Sequence, residues 1–293
     1  MKLVIPTHKR AHLISTPFLK VFKDFDKYIL FHDEEAKLEY LNYNDYKDIN
    51  LIVTNQPATK SGSGLAQNRK YFIDNYVEHG EWVLFCDDNV ISVYGLFPED
   101  LWKKLEHEKL NELDFSNWEN KLFNRRIGEI KEYANAIGAY HVGFQTSKNY
   151  FFAKKKYRER GYVLGKMTLW KKDNNFIYDE PFCSMEDFHH TAMHIVNYGK
   201  VLICDYLWAN ATHFQGGGLG TKENRKPNQV ASIKYLVSRY PELVKVKKRK
   251  DNYPDLRFPN MSDENFLKWR KKYLEFLKHY EFEYKRLKWI KKH

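Results

Sequence analysis

Apolar residues in the first ninety positions fall into short unbroken runs, and each run stops at polar residues. Lys2-Leu3-Val4-Ile5 ends at Pro6, and Tyr28-Ile29-Leu30-Phe31 ends at His32-Asp33-Glu34-Glu35. Leu51-Ile52-Val53-Thr54 ends at Asn55, and Trp82-Val83-Leu84-Phe85-Cys86 ends at Asp87-Asp88-Asn89. Runs of this length and make-up are those of strands buried on both faces. Between them the pattern predicts a helix capped by Ser15 or Thr16, a tyrosine-rich acidic connection, and a flexible loop, Lys60 to Lys70, feeding a helix through Tyr76. Strand alternating with helix predicts an α/β fold with a doubly wound, mostly parallel sheet. In such sheets ligands bind outside the carboxyl ends of the strands, where the polar residues of this chain collect.

Further along, mixed apolar and charged positions predict helix over residues 98 to 135, and Ile137 to Phe144 returns to extended structure. Val201-Leu202-Ile203-Cys204 reads as another strand, and extended structure continues from Trp208 to Phe214. From Ser262 onward Phe266, Trp269, Tyr273, Leu277, Tyr280, Tyr284 and Leu287 recur every three or four residues, which makes one apolar stripe on a long helix. That stripe is expected to pack on the main domain. The chain thus divides into residues 1–220, the sheet domain, and 221–293, a basic and mainly helical C-terminal extension.

Composition narrows the class. Apolar residues make up 43% and aromatics 16% of the 293 residues, enough for a large core and too many for a disordered chain. Cys86, Cys183 and Cys204 have no metal-site spacing and sit in apolar surroundings, which favours reduced thiols and a cytoplasmic home. The opening apolar run is too short for a signal peptide, and no stretch approaches a membrane span, so no membrane partner is expected. A net charge of +11 points to anionic partners: nucleic acid, anionic membrane or phosphorylated small molecules. The basic runs Lys154 to Arg160 and Lys245 to Lys250 are solvated faces or phosphate contacts.

Two acidic groups carry the candidate chemistry. Asp87-Asp88-Asn89 offers three oxygen donors in a row at a strand exit, suited to a hard divalent cation, Mg²⁺ or Mn²⁺. Glu186-Asp187 stands at a predicted helix start, where Ser184 and Asp187 fit a capping box or Asp187 serves as a catalytic carboxylate. His189 and His190 follow directly; adjacent residues on a helix point apart, which argues against both serving one ion. His213 precedes Gln215-Gly216-Gly217-Gly218-Leu219-Gly220, a loop suited to closing over a ligand. The glycine-containing loop before Arg69 and Lys70 lacks the P-loop spacing.

Taken in order, these motifs resemble the GT-A fold of nucleotide-sugar glycosyltransferases over residues 1–220: strand-Pro-Thr-x-x-Arg, Gly-rich loop with Asn-Arg, strand-Asp-Asp-Asn, Glu-Asp before a helix, and His before a glycine-rich loop. Within that fold the chain looks most like the phage group encoded beside TET/J-binding-type dioxygenases, proposed to glycosylate hydroxymethylated pyrimidines in DNA. The resemblance implies a metal-dependent transferase, active in the cytoplasm of a phage-infected bacterium. It would move a sugar, glucose by the resemblance, from a UDP-sugar to DNA containing hydroxymethylated pyrimidine. It implies Pro6, Thr7, Arg10 and Asp33 around the nucleoside, Arg69 on the donor side, and Asp87 and Asp88 at the nucleotide. Asp88, Asn89 and His213 would hold the Mn²⁺ or Mg²⁺, with Asp88 carrying more because Asn89 is neutral. Asp187, with Glu186 beside it, would be the base of an inverting reaction. Two other functions stay open: a transferase acting on a glycan or protein, and a non-catalytic basic DNA-binding protein.

Overall fold

The computed structural model describes residues 1–8, 10, 14, 22, 24–42, 48–56, 64–95, 120–145, 156–176, 184–211, 222–249 and 255–290. Four strands open the chain: β1 (Lys2–Pro6), β2 (Asp26–Phe31), β3 (Asn50–Val53) and β4 (Trp82–Cys86). Helix α1 (Glu34–Leu41) joins β2 to β3, and α2 (Gly64–Tyr76) leads into β4. After β5 (Val90–Gly95) come α3 (Asn120–Ile137), β6 (His141–Phe144), β7 (Tyr157–Arg158), β8 (Met167–Lys171) and α4 (Glu186–Tyr198). The chain continues through β9 (Leu202–Cys204), β10 (Leu207–Ala211), α5 (Lys222–Arg239), β11 (Lys245–Lys247), β12 (Asp255–Arg257) and α6 (Asp263–Ile290).

Eight strands form one mixed, mostly parallel sheet in the order β3-β2-β1-β4-β8-β6-β9-β7. Strands β1 to β4 run parallel to one another, with Val4 paired to both Tyr28 and Phe85. Strand β8 lies antiparallel between β4 and β6, and β9 is parallel to β6. The chain moves outward from β1 to β3 and then returns to the other side of β1 with β4. The carboxyl ends of β1 and β4 are therefore the topological switch point, the place at which such sheets bind ligands. All five residues of β4 are buried, as its unbroken apolar run requires.

Both faces of the sheet are covered. Leu3, Ile5, Leu84, Phe123, Ile127 and Leu169 belong to the larger core, and Val4, Val83, Phe85, Phe72 and Trp170 pack on the face that α2 covers. A third core joins the C-terminal extension to the sheet domain: Leu236, Tyr240, Leu256, Phe266, Trp269 and Tyr273 pack with Phe188 and Ile195 of α4 and Ile203 of β9. The apolar stripe on α6 thus lies against the main domain as its spacing predicts, as far as Leu277. Arg270 of α6 also donates to the carbonyls of Val196 (2.8 Å) and Asn197 (2.6 Å), which the end of α4 leaves without helical partners.

Several local expectations are corrected. The helix expected over 98–135 is described only from Asn120, since residues 96–119 lie outside the described set. It runs to Ile137, and the next strand begins at His141, because Gly138 turns the chain at φ +71°. No Ser184–Asp187 capping box forms: Met185 occupies the N-cap without a side-chain bond, and the Ser184 amide donates to Ser232 Oγ at 3.0 Å. Strand β8 and helices α1 and α5 carry no apolar run or clean periodicity in the sequence, and α5 even contains Pro227. The helix expected at Ser15 or Thr16 and the glycine loop after His213 lie outside the described residues, as do Cys183 and residues 57–63. Cys86 and Cys204 are free and buried.

Candidate active site at the switch point

Pro6 ends β1, and the Thr7 amide donates to Leu30 O (3.0 Å), which keeps the next residues against β2. Thr7 and Arg10, both buried, then turn toward the end of β4. Asp88 receives them. Its Oδ1 accepts from Arg10 Nη1 at 2.8 Å, and its Oδ2 accepts from Thr7 Oγ1 at 3.0 Å and the His8 amide at 3.5 Å. Both carboxylate oxygens are therefore engaged inside the protein, and the residue is only 8% exposed. Burial raises its pKa and the Arg10 guanidinium opposes the rise.

Asp87 faces differently. Its amide donates to Lys166 O (2.8 Å), holding the strand exit beside the start of β8. Its Oδ1 accepts from Arg69 Nη2 at 2.8 Å, while a quarter of the side chain remains exposed. Arg69 projects from α2 into the protein and is 1% exposed. It also donates to Gly165 O (3.1 Å), lies 5.8 Å from the Phe85 ring centroid, and stands 3.8 Å from Glu186. Next to it on α2, buried Asn68 bonds Thr54 Oγ1, which donates to Phe31 O at 3.0 Å. That contact ties α2 to the ends of β2 and β3.

Helix α4 brings the second acidic pair to this edge. Glu186 and Asp187 occupy its first turn, where the helix dipole favours negative charge. Asp187 Oδ2 accepts from the Tyr162 hydroxyl and from the Gly165 amide (3.4 Å), and Oδ1 accepts from the Phe188 amide at 2.9 Å. Four carboxylates, Asp87, Asp88, Glu186 and Asp187, thus gather around two guanidiniums, Arg10 and Arg69. Burial pushes the Asp87 pKa up to about 6, with Arg69 holding it down and Asp88 and Asp187 adding to the rise. Burial and the neighbouring Asp187 raise Glu186, and burial raises Asp187 against the Tyr162 and Gly165 hydrogen bonds. The uncompensated negative charge marks a place for a cation or for protons.

Asp33 sits at the rim. It caps α1 by accepting from the Ala36 amide (2.8 Å) and pairs with His32 Nε2 at 2.9 Å. His32 Nδ1 is 3.2 Å from His8 Nδ1, so Asp33 reaches the Asp88 cluster through two histidines. The sequence singles out Pro6, Thr7, Arg10, Asp33, Arg69, Asp87, Asp88, Glu186 and Asp187, and the fold brings them all to one edge of the sheet. Asn89 follows in the turn after β4, and His213 lies outside the described residues. His189 and His190 diverge: His189 Nδ1 lies 3.0 Å from Tyr240 Oη, and His190 packs edge-on to Trp170, 4.7 Å between centroids. In the basic run, Arg158 makes two 2.7 Å bonds to Asp205 and Arg160 pairs with Asp263, so these charges are spent within the fold.

Tyr162 and Gly165 are site neighbours that sequence reasoning missed. They occur in Gly161-Tyr162-Val163-Leu164-Gly165, whose only signal is the pair of flanking glycines. Among the described residues no group of three His, Cys, Asp or Glu is gathered into a ready-made metal cage. A Mg²⁺ that also takes phosphate oxygens needs only one or two carboxylates, and the partly exposed Asp87 fits that role. Asp88 fits it only if Arg10 and Thr7 give way. Comparison with protein-family models and with curated proteins gives no match.

Proposed function

We propose that this protein is a GT-A-type glycosyltransferase that moves a sugar from a UDP-sugar to the hydroxymethyl group of a modified pyrimidine in DNA. The observation that carries this reading is the convergence of Asp87, from a strand end, and Glu186, from the Glu186-Asp187 pair at a helix start, on one buried arginine, Arg69, at the switch point of the sheet. One acidic group, Asp87, stands partly exposed at a strand end. A separate one stands at a helix start with its proton affinity raised. That division suits transfer from a nucleoside diphosphate, in which one carboxylate serves the diphosphate side and the other the acceptor.

In this reaction the acceptor hydroxyl oxygen attacks the anomeric carbon as Asp187 takes its proton. The bond from the anomeric carbon to the diphosphate oxygen breaks, and UDP departs with the electron pair. A base must be ionised yet basic enough to accept a proton near neutral pH, and the raised affinity of Asp187 serves that need. Arg10 and Arg69 supply fixed positive charge at the same edge, which offsets charge developing on the leaving group. A divalent ion, held through Asp87 and completed by Asn89 and His213, would act as a Lewis acid on the diphosphate. The net charge of +11 supports a polyanionic acceptor.

The test is incubation with a panel of UDP-sugars and duplexes containing hydroxymethylcytosine or hydroxymethyluracil, followed by nucleoside mass spectrometry. A hexose mass added to the modified nucleoside is the expected result. Donor turnover with no modified nucleoside redirects the reading to a glycan or protein acceptor. Failure to bind or turn over any nucleotide-sugar sinks it.

A further inference from the structure

Asp187 is held by a side chain from outside its own helix. Tyr162 lies on the segment between β7 and β8, and its hydroxyl donates to Asp187 Oδ2. Its ring stacks on Phe188 with centroids 4.0 Å apart and an interplanar angle of 15°. Phe188 stacks in turn on Phe258 at 5.7 Å, and Phe258 follows β12 in the C-terminal extension. The backbone beside the tyrosine is pinned as well. The Val163 amide donates to Thr191 Oγ1 (3.2 Å), and that hydroxyl donates to Asp187 O at 2.7 Å. The phenol thus packs on the catalytic helix and, at 6.5 Å between centroids, lies near-parallel to Phe258 of the C-terminal extension, with its one polar atom on the carboxylate.

We propose that Tyr162 is the positioning residue of Asp187, fixing the carboxylate's rotation and keeping it ionised, with Phe258 extending that support from the C-terminal extension. The inference rests on Asp187 as the proton acceptor of the transfer. Two donors meet at Oδ2, the Tyr162 hydroxyl and the longer Gly165 amide contact. A hydrogen bond donated to a carboxylate favours its charged form, against the burial that favours the neutral one. The other groups acting on Asp187 are Arg69 from α2, Asp87 from β4 and Glu186 beside it. Of the two oxygens, Oδ1 is occupied by the Phe188 amide of its own helix turn. Among the described residues, loss of the phenol therefore releases the one side-chain hydrogen bond that the Asp187 carboxylate accepts from another segment.

Tyr162→Phe removes the hydroxyl and keeps the ring in its stack, so melting within a few degrees of wild type is expected. The variant's kcat should fall about 10-fold or more, the scale of an impaired general base, with donor KM little changed. The acid limb of its kcat profile should move to higher pH, a change that loose packing alone does not produce. Wild-type kcat with an unmoved acid limb overturns the proposal while leaving the transferase reading intact. The second measurement needs no turnover: a ¹³C carboxyl titration, with the Asp187 resonance assigned by Asp187→Asn. An upward shift of that titration in Tyr162→Phe upholds the proposal even if no sugar is transferred. An identical titration in both proteins overturns it.

Discussion

Arg69 Nη2 donates to Asp87 Oδ1 at 2.8 Å from a guanidinium that is 1% exposed. A charge so deeply buried is tolerated because carboxylates surround it, and the same charge holds those carboxylates together. Arg69→Met should therefore destabilise the fold by about 3–5 kcal/mol, since it leaves buried carboxylates without compensation. Arg69→Met/Asp87→Leu should recover part of that loss. Urea unfolding of the two variants checks both statements, and a single variant as stable as wild type contradicts the arrangement.

Arg10 and Asp88 make the neighbouring pair, at 2.8 Å, and they should behave as one unit. Each single substitution, Arg10→Met or Asp88→Leu, strands a nearly buried partner and should cost about 1.5–3 kcal/mol, the worth of a hydrogen bond to a charged group. The double variant should lose less than the sum of the singles. A double-mutant cycle read by urea unfolding measures the coupling, and strict additivity would contradict it.

For the chemistry, Asp187→Asn should lower kcat by about 10²–10⁴-fold, the usual contribution of a general base. Donor affinity measured by calorimetry should stay near the wild-type value, because Asp187 serves the acceptor side. Full activity in this variant would remove Asp187 from the base role.

Ion binding should depend on Asp87 more than on Asp88. Manganese binding followed by electron paramagnetic resonance, in the presence of UDP, should be lost in Asp87→Asn. EDTA should stop turnover, and added Mn²⁺ should restore it. Turnover that survives EDTA removes the ion from the mechanism.

Stability should depend on pH through a buried histidine cluster. His141, His190 and His194 are each at most 3% exposed and pack around Trp170. Burial lowers all three pKa values, that of His194 to about 4 from 6.5. Between those values the unfolded chain binds protons that the folded protein refuses, so stability rises with pH. This contribution is complete above about pH 6.5 and is lost as pH falls toward 4. Asp87 works in the opposite sense. Its pKa, raised to about 6, contributes stability below about pH 4 that is lost as pH rises through 6. His194→Gln should therefore flatten the acid side of a urea-midpoint profile between pH 4 and 7, and an unchanged slope would contradict the assignment.

The sheet's leading half was legible because strands buried within a sheet must be apolar, as β1, β4 and the last three residues of β2 are. Strand β3 carries a similar run at the sheet's edge, where its residues stay partly exposed and not buried on both faces as the run predicts. The stripe Phe266, Trp269, Tyr273 was legible for a similar reason: one helix face packs and the others do not. Strand β8 was not, because Met-Thr-Leu-Trp-Lys gains its strand character from pairing with β4 and β6. Helix α4 shows the same limit. Its sequence suggested Ser184 as cap, but Ser232 from α5 takes the Ser184 amide.

By itself the sequence determined which residues carry the candidate chemistry, since carboxylates that close apolar runs must emerge where a strand or helix begins or ends. Only the tertiary structure decided which of them stay open to solvent. Asp87 and Asp88 are neighbours of the same type, yet Arg10 and Thr7 enclose one while Arg69 leaves the other partly open. Tyr162 was invisible for the same physical reason. Its partner Asp187 lies on another element, and a contact made by folding leaves no periodic trace in the chain.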